Sequence, residues 1–157
     1  MKKKRVVIIS LLLLLVSVIG ISSYFLFKDK INLLDVDHSA VDWNGKKQKD
    51  TSGEENTIAI PGFEKVTLYA NETKQAVNFH NPEINDCYFK ISLIHPDGSV
   101  LWISDLIEPG KGMYSIELEK TLAVGEYENA VLKYECFSLN DQSPLNESEI
   151  NLKLVVV

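Results

Sequence analysis

Hydrophobic residues follow two different patterns along this chain, and each pattern predicts a different kind of structure. Residues 6–27 form a run of 22 residues without a single charge. A helix of that length rises about 33 Å, which is enough to cross a hydrocarbon core of ~30 Å. From about residue 57 onward, apolar and polar residues instead alternate with a period of two. That alternation is typical of half-buried β-strands.

The alternating region predicts seven strands separated by turn residues. Their ranges are 58–69 with a break at Pro61-Gly62, then 75–80, 87–94, 100–105, 113–118, 127–137 and 149–157. After Phe27, no stretch repeats apolar residues at helical spacing over three turns, so we expect an all-β domain. Seven strands in about 100 residues predict an antiparallel sandwich of the immunoglobulin or fibronectin type.

A local motif supports this architecture. Tyr127 follows the turn Leu122-Ala123-Val124-Gly125-Glu126, and this arrangement resembles the tyrosine corner of such sandwiches. In that corner, a tyrosine near the start of the sixth strand anchors the connection that enters the strand. We therefore expect Tyr127 to hold the turn before it.

The residues that flank the apolar run predict its orientation. Residues 1–5 include four consecutive cations, Lys2 to Arg5, and the positive-inside rule keeps such a flank in the cytoplasm. Residues 6–27 are then a transmembrane signal-anchor helix, and the chain from Lys28 onward is extracytoplasmic. A secretory signal peptide cleaved after Gly20 is the alternative, although signal h-regions run only ~7–15 residues. The expected location is a single-pass cell membrane protein with its C-terminal domain outside.

A polar segment separates the predicted anchor from the predicted domain. Residues 28–56 are rich in Lys, Asp, Asn, Gly, Ser and Glu, and such a composition predicts a flexible linker. As a coil, this linker reaches roughly 30 Å, which would place the domain clear of the bilayer. Leu33-Leu34 and the pair Val41 and Trp43 are the only places in it where a docking contact is expected. The domain itself is expected over 57–157.

The charge of the domain limits its partners. Residues 56–157 contain seven lysines and fifteen carboxylates, a net charge of −8. An acidic surface of this kind disfavours nucleic acid and anionic membrane surfaces as partners. We expect no nucleic-acid partner.

Cys87 and Cys136 are the only cysteines of the chain. If Cys87 opens the third predicted strand and Cys136 lies late in the sixth, a sandwich makes these two strands antiparallel neighbours and brings the thiols to adjacent inward positions. An extracytoplasmic compartment permits oxidation, so a disulfide is predicted. Two buried free thiols are the alternative, because free cysteine is often buried like a small hydrophobe.

No motif in the sequence indicates catalysis or a metal cofactor. The three histidines, His38, His80 and His95, lack any zinc-ligand spacing. The sequence also contains neither a nucleophile elbow nor a phosphate-binding loop. Asp35 and Asp37, with Asp42 and Asn44, carry oxygen ligands of the kind that calcium prefers, but the segment lacks the glycine and the terminal glutamate of an EF-hand loop. We therefore expect a non-enzymatic protein without a cofactor or a metal.

Exposed aromatic residues are the remaining candidates for a functional surface. More aromatic side chains follow residue 57 than a small sandwich core accommodates, so some of them are expected at the surface. On the predicted strand 100–105, Leu101 and Ile103 are expected to face the core. Trp102 would then point outward as a surface contact.

Three segments together resemble small single-span surface proteins of Gram-positive bacteria, a group with no established activity. They are Ile58 to Gly62, Asn78 to Pro82 with Cys87 to Phe89, and Asp105 to Gly110. The resemblance covers nearly all of 58–157 and implies architecture and location only. The expected function is a membrane-tethered interaction module with a protein partner in the cell envelope. A carbohydrate-binding or hydrolase accessory domain that faces the cell wall is the alternative.

Overall fold

The computed structural model describes residues 33–45 and 57–157. The predicted cytoplasmic flank at 1–5 and the predicted anchor at 6–27 lie outside these residues. Within the described residues, no helix is both long enough and apolar enough to cross a membrane.

The described chain is all-β, as the alternating pattern predicts. Eight strands follow in chain order: β1 Val41–Asp42, β2 Lys65–Leu68, β3 Lys74–His80, β4 Cys87–Ile94, β5 Val100–Ile103, β6 Lys111–Glu117, β7 Gly125–Ser138 and β8 Pro144–Val156. The predicted ranges agree closely for β3, β4 and β6. The first predicted strand is shorter than expected, because only Lys65–Leu68 of it pairs with a neighbour. The last strand is longer, because the β7–β8 hairpin extends to Pro144.

The strands form two sheets. The larger sheet has the order β2-β8-β7-β4-β5, and the smaller has the order β1-β6-β3. Strand β2 lies parallel to β8, and the other neighbours are antiparallel. The two sheets together enclose one hydrophobic core.

Alternation along the long strands supplies most of this core. On β7, every second residue from Ala130 to Cys136 is buried, and β4 and β8 present their own alternate residues to the same side. Phe79 of β3 and Ile116 of β6 complete the core from the smaller sheet. Tyr134 and Phe89 meet edge to face in its interior, with ring centroids 5.3 Å apart.

Tyr127 makes the hydrogen bond that the predicted tyrosine corner requires. The Tyr127 hydroxyl donates a hydrogen bond of 2.9 Å to the carbonyl oxygen of Ala123, four residues earlier. This bond fixes the turn that leads into β7. The Leu122 side chain is buried beside it, which anchors the same turn from the core.

The domain begins earlier than the sequence pattern indicates. Residues 34–45, assigned to the linker from composition, belong to the same compact unit as residues 57–157. Val36 bridges Leu106, and Val41–Asp42 pairs with β6 as an edge strand. We call residues 34–45 the strap. Composition misplaced the strap because backbone hydrogen bonds and polar side chains make most of its contacts, and these leave no hydrophobic pattern in the sequence.

Candidate functional site

A concave surface lies beside the strap. It is a groove of about 780 Å³ between the end of the strap, the loop after β3 and the turn before β6. We call it the strap groove. Its lining residues are Asp42, Trp43, Asn44, Gly45, His80, Asn81, Pro82, Glu83, Ile84, Pro109 and Gly110.

Trp43 anchors the strap at this groove. Its indole ring stacks on the His80 ring with centroids 3.8 Å apart and an interplanar angle of 13°. The indole Nε1–H donates a hydrogen bond of 2.8 Å to Asn78 Oδ1. A Cβ atom at Gly112 would lie only 2.6 Å from the Trp43 ring, so the glycine leaves the space in which the indole sits. The indole therefore packs against Gly112 at the edge of the smaller sheet.

Polar contacts hold the strap on both sides of Trp43. Lys111 Nζ lies 2.6 Å from Asp42 Oδ1. The hydrogen bond and the charge of Lys111 lower the pKa of Asp42, and Asp42 in turn raises the pKa of Lys111. The Asn44 amide donates to the Tyr114 hydroxyl at 2.9 Å, and that hydroxyl donates to Asn44 Oδ1 at 2.8 Å.

Two buried asparagines make the opposite wall of the groove rigid. Asn81 Nδ2 donates to the carbonyl oxygens of Cys87 and Ile107, at 2.8 and 2.9 Å. Asn85 Nδ2 donates to Asn81 Oδ1 at 2.8 Å and to the Ala59 carbonyl at 3.0 Å. A buried network in which each amide is satisfied holds its loop in one conformation. The loop thus presents Glu83 and Ile84 outward on a fixed base, and Ile84 is 75% exposed.

The groove combines apolar surface with negative charge. Trp43, Ile84 and the two prolines supply the apolar part, and Glu83 supplies an exposed carboxylate, whereas the Asp42 carboxylate is paired with Lys111. Glu108 stands next to this lining and adds its charge near Lys111. The arrangement suits a ligand that has both an apolar group and a positive charge.

Trp102, the predicted surface contact, is a core residue. It is only 7% exposed, and its ring stacks against Phe79 with centroids 5.8 Å apart. Trp102 pairs with Leu93, which faces the core, whereas Ile103 is 45% exposed. The prediction assumed strict alternation along β5. An irregularity in the β4–β5 register between Leu93 and Ile94 breaks that alternation, and Leu101 and Trp102 are both buried.

The two cysteines lie next to each other, as the sandwich topology predicts. Cys87 pairs with Ser138 and Cys136 pairs with Phe89, so the cysteines are diagonal neighbours on one face of adjacent strands. Both are buried free thiols in the structure. The disulfide between them stays a prediction.

The three histidines do not converge on one site. His38 is exposed in the strap, His80 lies under Trp43, and His95 pairs with Asp97 in the β4–β5 turn at 3.0 Å. Within residues 33–45 and 57–157, no group of three His, Cys, Asp or Glu side chains is placed to hold a metal ion. Two aspartates of the strap make other contacts, since Asp42 pairs with Lys111 and Asp37 Oδ1 accepts a hydrogen bond from the Ser39 amide.

Sequence reasoning missed the strap groove because its residues come from three distant segments. The available signal was the pair Val41 and Trp43, two apolar residues inside a polar segment.

No family model, curated protein or solved structure matches this chain. Its function is therefore argued from the groove.

Proposed function

We propose that this chain is a non-enzymatic recognition module, tethered to a membrane by residues 6–27, that binds a basic segment of a protein partner in its strap groove. The groove supports this proposal, because Trp43, Ile84 and two prolines give it apolar surface and Glu83 adds an exposed carboxylate. The partner is expected in the cell envelope, on the extracytoplasmic side.

Charge complementarity supports a basic partner. The net charge of −8 over 56–157 attracts cations and speeds their encounter with the domain. Glu83 is exposed at the rim of the groove, where it can pair with an incoming lysine or arginine. Ile84 beside it offers an apolar contact for the aliphatic stem of such a side chain.

The chemistry of the lining supports recognition over catalysis. Its titratable side chains are Asp42, Glu83 and His80. Asp42 is held by Lys111, and His80 is buried beneath Trp43 with only 3% of its surface exposed. General acid–base catalysis needs groups that can reach a substrate proton, and this pair is engaged in holding the strap.

The carbohydrate-binding alternative has weaker support. Aromatic platforms for sugars leave one ring face and nearby polar groups open. Trp43 is the aromatic residue of the groove, but His80 covers one of its faces and Asn78 accepts its indole N–H. Gly45 approaches so closely that a Cβ atom there would lie 2.7 Å from the indole ring.

An immunoglobulin-like assignment is part of this proposal. In its support, β4, β7 and β8 take the places of strands C, F and G, and β3 and β6 take those of B and E. The tyrosine corner at the start of β7 fits the same scheme. The resemblance to Gram-positive surface proteins agrees with the proposed location.

Binding of a defined basic probe tests the proposal. The full chain in detergent is titrated with fluorescent hexalysine, with hexaglutamate and purified wall polysaccharide as comparison ligands. We expect hexalysine alone to bind, and Glu83→Lys to weaken its binding about tenfold through charge reversal at the groove. Glu119→Lys is the matched control, because it changes the net charge equally beyond the far end of β6.

Two results would contradict the proposal. Equal weakening by Glu83→Lys and Glu119→Lys would show that hexalysine responds only to net charge. Binding of the polysaccharide that is lost in an Ile84→Asp variant would favour the carbohydrate-binding alternative instead.

A further inference from the structure

The strap is bound to the domain in the way that a peptide is bound to the edge of a sheet. Its strand β1 pairs antiparallel with Lys111 and Gly112 of β6, and β3 is the other neighbour of β6. The Trp43 amide donates a hydrogen bond of 2.9 Å to the carbonyl oxygen of Gly110. Strand addition of this kind is a recurring mode of peptide recognition, in which backbone bonds supply affinity and side-chain pockets supply specificity.

The first half of the strap is also held by its backbone. The Asp37 amide donates to the Leu106 carbonyl oxygen at 2.8 Å, and the Leu106 amide donates to the Asp35 carbonyl oxygen at 2.9 Å. The Gln142 side chain pairs with Leu34 as a neighbouring strand would. The Leu34 amide donates to its Oε1 at 2.7 Å, and its Nε2 donates to the Leu34 carbonyl oxygen at 3.1 Å. Backbone groups of the strap therefore make all of these bonds.

One side chain of the strap occupies a fitted space. The Trp43 indole packs where a Cβ atom of Gly112 would lie 2.6 Å from the ring, and its N–H donates to Asn78 Oδ1. The other tryptophan of the chain, Trp102, is buried in the core. The strap of a second copy therefore carries both features that this site accepts, an extended backbone and an indole at the matching position.

The core of the domain is complete without the strap. Among the described residues, the buried members of the hydrophobic core run from Val66 to Val156, and Ala40 is the strap residue that packs against them. No residue of the strap is itself fully buried. The two sheets therefore keep their core when the strap opens, and the surface beneath it keeps its shape.

We propose that the surface beneath the strap is a strand-addition site that accepts the strap of a second copy of this chain in place of the resident strap. The contacts are the same in both arrangements, which differ only in the chain that supplies the strap. The resident strap is a tethered competitor, so exchange requires that it open first. The inference does not depend on the function proposed for the strap groove, because the strap is an acidic segment and the proposed ligand of the groove is basic.

Binding of the isolated strap tests the site. The full-length Trp43→Ala chain in detergent is titrated with a fluorescent, acetylated peptide of residues 34–45. We expect saturable binding, and binding at least about tenfold weaker to the parent chain, because its docked strap leaves few sites open. A scrambled peptide and a peptide with Trp43→Ala should bind to neither chain. The peptide has three aspartates and no lysine or arginine, so the acidic domain does not attract it non-specifically.

Hydrogen exchange locates the bound peptide. The Leu106 amide belongs to the receiving chain and donates to the strap. It should exchange fast in the Trp43→Ala chain and regain protection when the peptide is added. Adding Asn78→Ala to that chain should weaken peptide binding about tenfold, because the indole N–H loses its acceptor. Ala76→Ser is the matched control, since Ala76 is an exposed residue of the same strand, and it should leave binding unchanged.

Two complementary variants test exchange between full chains. Gly112→Val fills the indole space of its own site and keeps an intact strap, whereas Trp43→Ala keeps an intact site. A tagged Gly112→Val chain should therefore capture an untagged Trp43→Ala chain, and neither variant should capture a second copy of itself. A tagged Asn78→Ala chain repeats the capture with a milder defect in the site, so the result does not rest on the folding of Gly112→Val alone.

Four results would overturn the inference. One is equal binding of the strap peptide and the scrambled peptide. Another is peptide binding that leaves the Leu106 amide unprotected, which would place the peptide elsewhere. The third is a Trp43→Ala chain that does not bind the peptide, because a strap without its indole should give way to a strap that has it. The fourth is peptide binding without capture between the complementary chains, which would exclude the second copy as the occupant.

Discussion

Replacing Trp43 with alanine tests whether the strap is an integral part of the domain. The substitution removes the stack on His80 at 3.8 Å and the hydrogen bond to Asn78 at 2.8 Å. It also leaves the space beside Gly112 empty. We expect the strap to open far more often while the two sheets remain folded around their core.

The magnitude follows from these contacts. A buried large aromatic residue replaced by alanine costs about 3–5 kcal/mol, and we take the lower end because Trp43 is partly exposed. A loss of about 3 kcal/mol in the free energy of strap opening corresponds to more than 100-fold faster amide exchange, at ~1.4 kcal/mol per tenfold change.

Hydrogen exchange with mass spectrometry measures this directly on the full chain in detergent. The reporter amides are those of Asp37 and residue 43, which donate to Leu106 and Gly110 at 2.8 and 2.9 Å. The amide of Ile91 in β4 should keep its protection, because it is buried in the larger sheet. Val41→Ala is the control, since Val41 is 49% exposed, and we expect a change of less than about threefold.

One outcome would refute the reasoning. If Trp43→Ala left the exchange of the strap amides as slow as in the parent, Trp43 would not anchor the strap. The backbone bonds to Leu106 and the pairing of β1 with β6 would then hold the strap without it.

Three further predictions test other parts of the molecule. Trp102→Ala should lower the free energy of unfolding in urea by about 3–5 kcal/mol, whereas Ile103→Ala should lower it by less than about 1 kcal/mol. Similar losses in the two variants would contradict the β5 register described above. Hydrogen bonds from Ser99, and then from His95, hold the pKa of Asp97 well below its usual range. The charged form of Asp97 therefore stabilises the folded state above about pH 4, and this stabilisation is lost as the pH falls further. The stability difference between the parent and Asp97→Asn, followed by urea unfolding against pH, should therefore be constant near neutrality and shrink in acid; a difference that grows in acid would contradict this assignment. A reporter active only outside the cytosol and fused after Val157 should be active in cells, and release of a fragment that begins near Ile21 would instead establish cleavage.

The sequence by itself determined most of the strands and the alternating core positions of β4, β7 and β8. Alternation along β4, β7 and β8 is a local property, because a strand with one buried face requires an apolar residue at every second position. The same alternation placed both cysteines on inward faces, and the assumed sandwich topology placed Cys87 beside Cys136. The Gly125 turn likewise predicted the Tyr127 hydrogen bond, which spans only four residues.

Only the tertiary structure decided the features that depend on contacts between distant segments. Trp102 is a core residue because the irregular register between β4 and β5 turns its side chain to the buried face of β5. Alternation within β5 alone cannot predict such an irregularity, because it depends on pairing with β4. The strap joined the domain through backbone bonds, the Trp43 indole and polar side-chain contacts such as Asp42 with Lys111, so its polar composition concealed it. The strap groove assembles residues 42–45, 80–84 and 109–110, and a surface built from three segments exists only once the chain has folded.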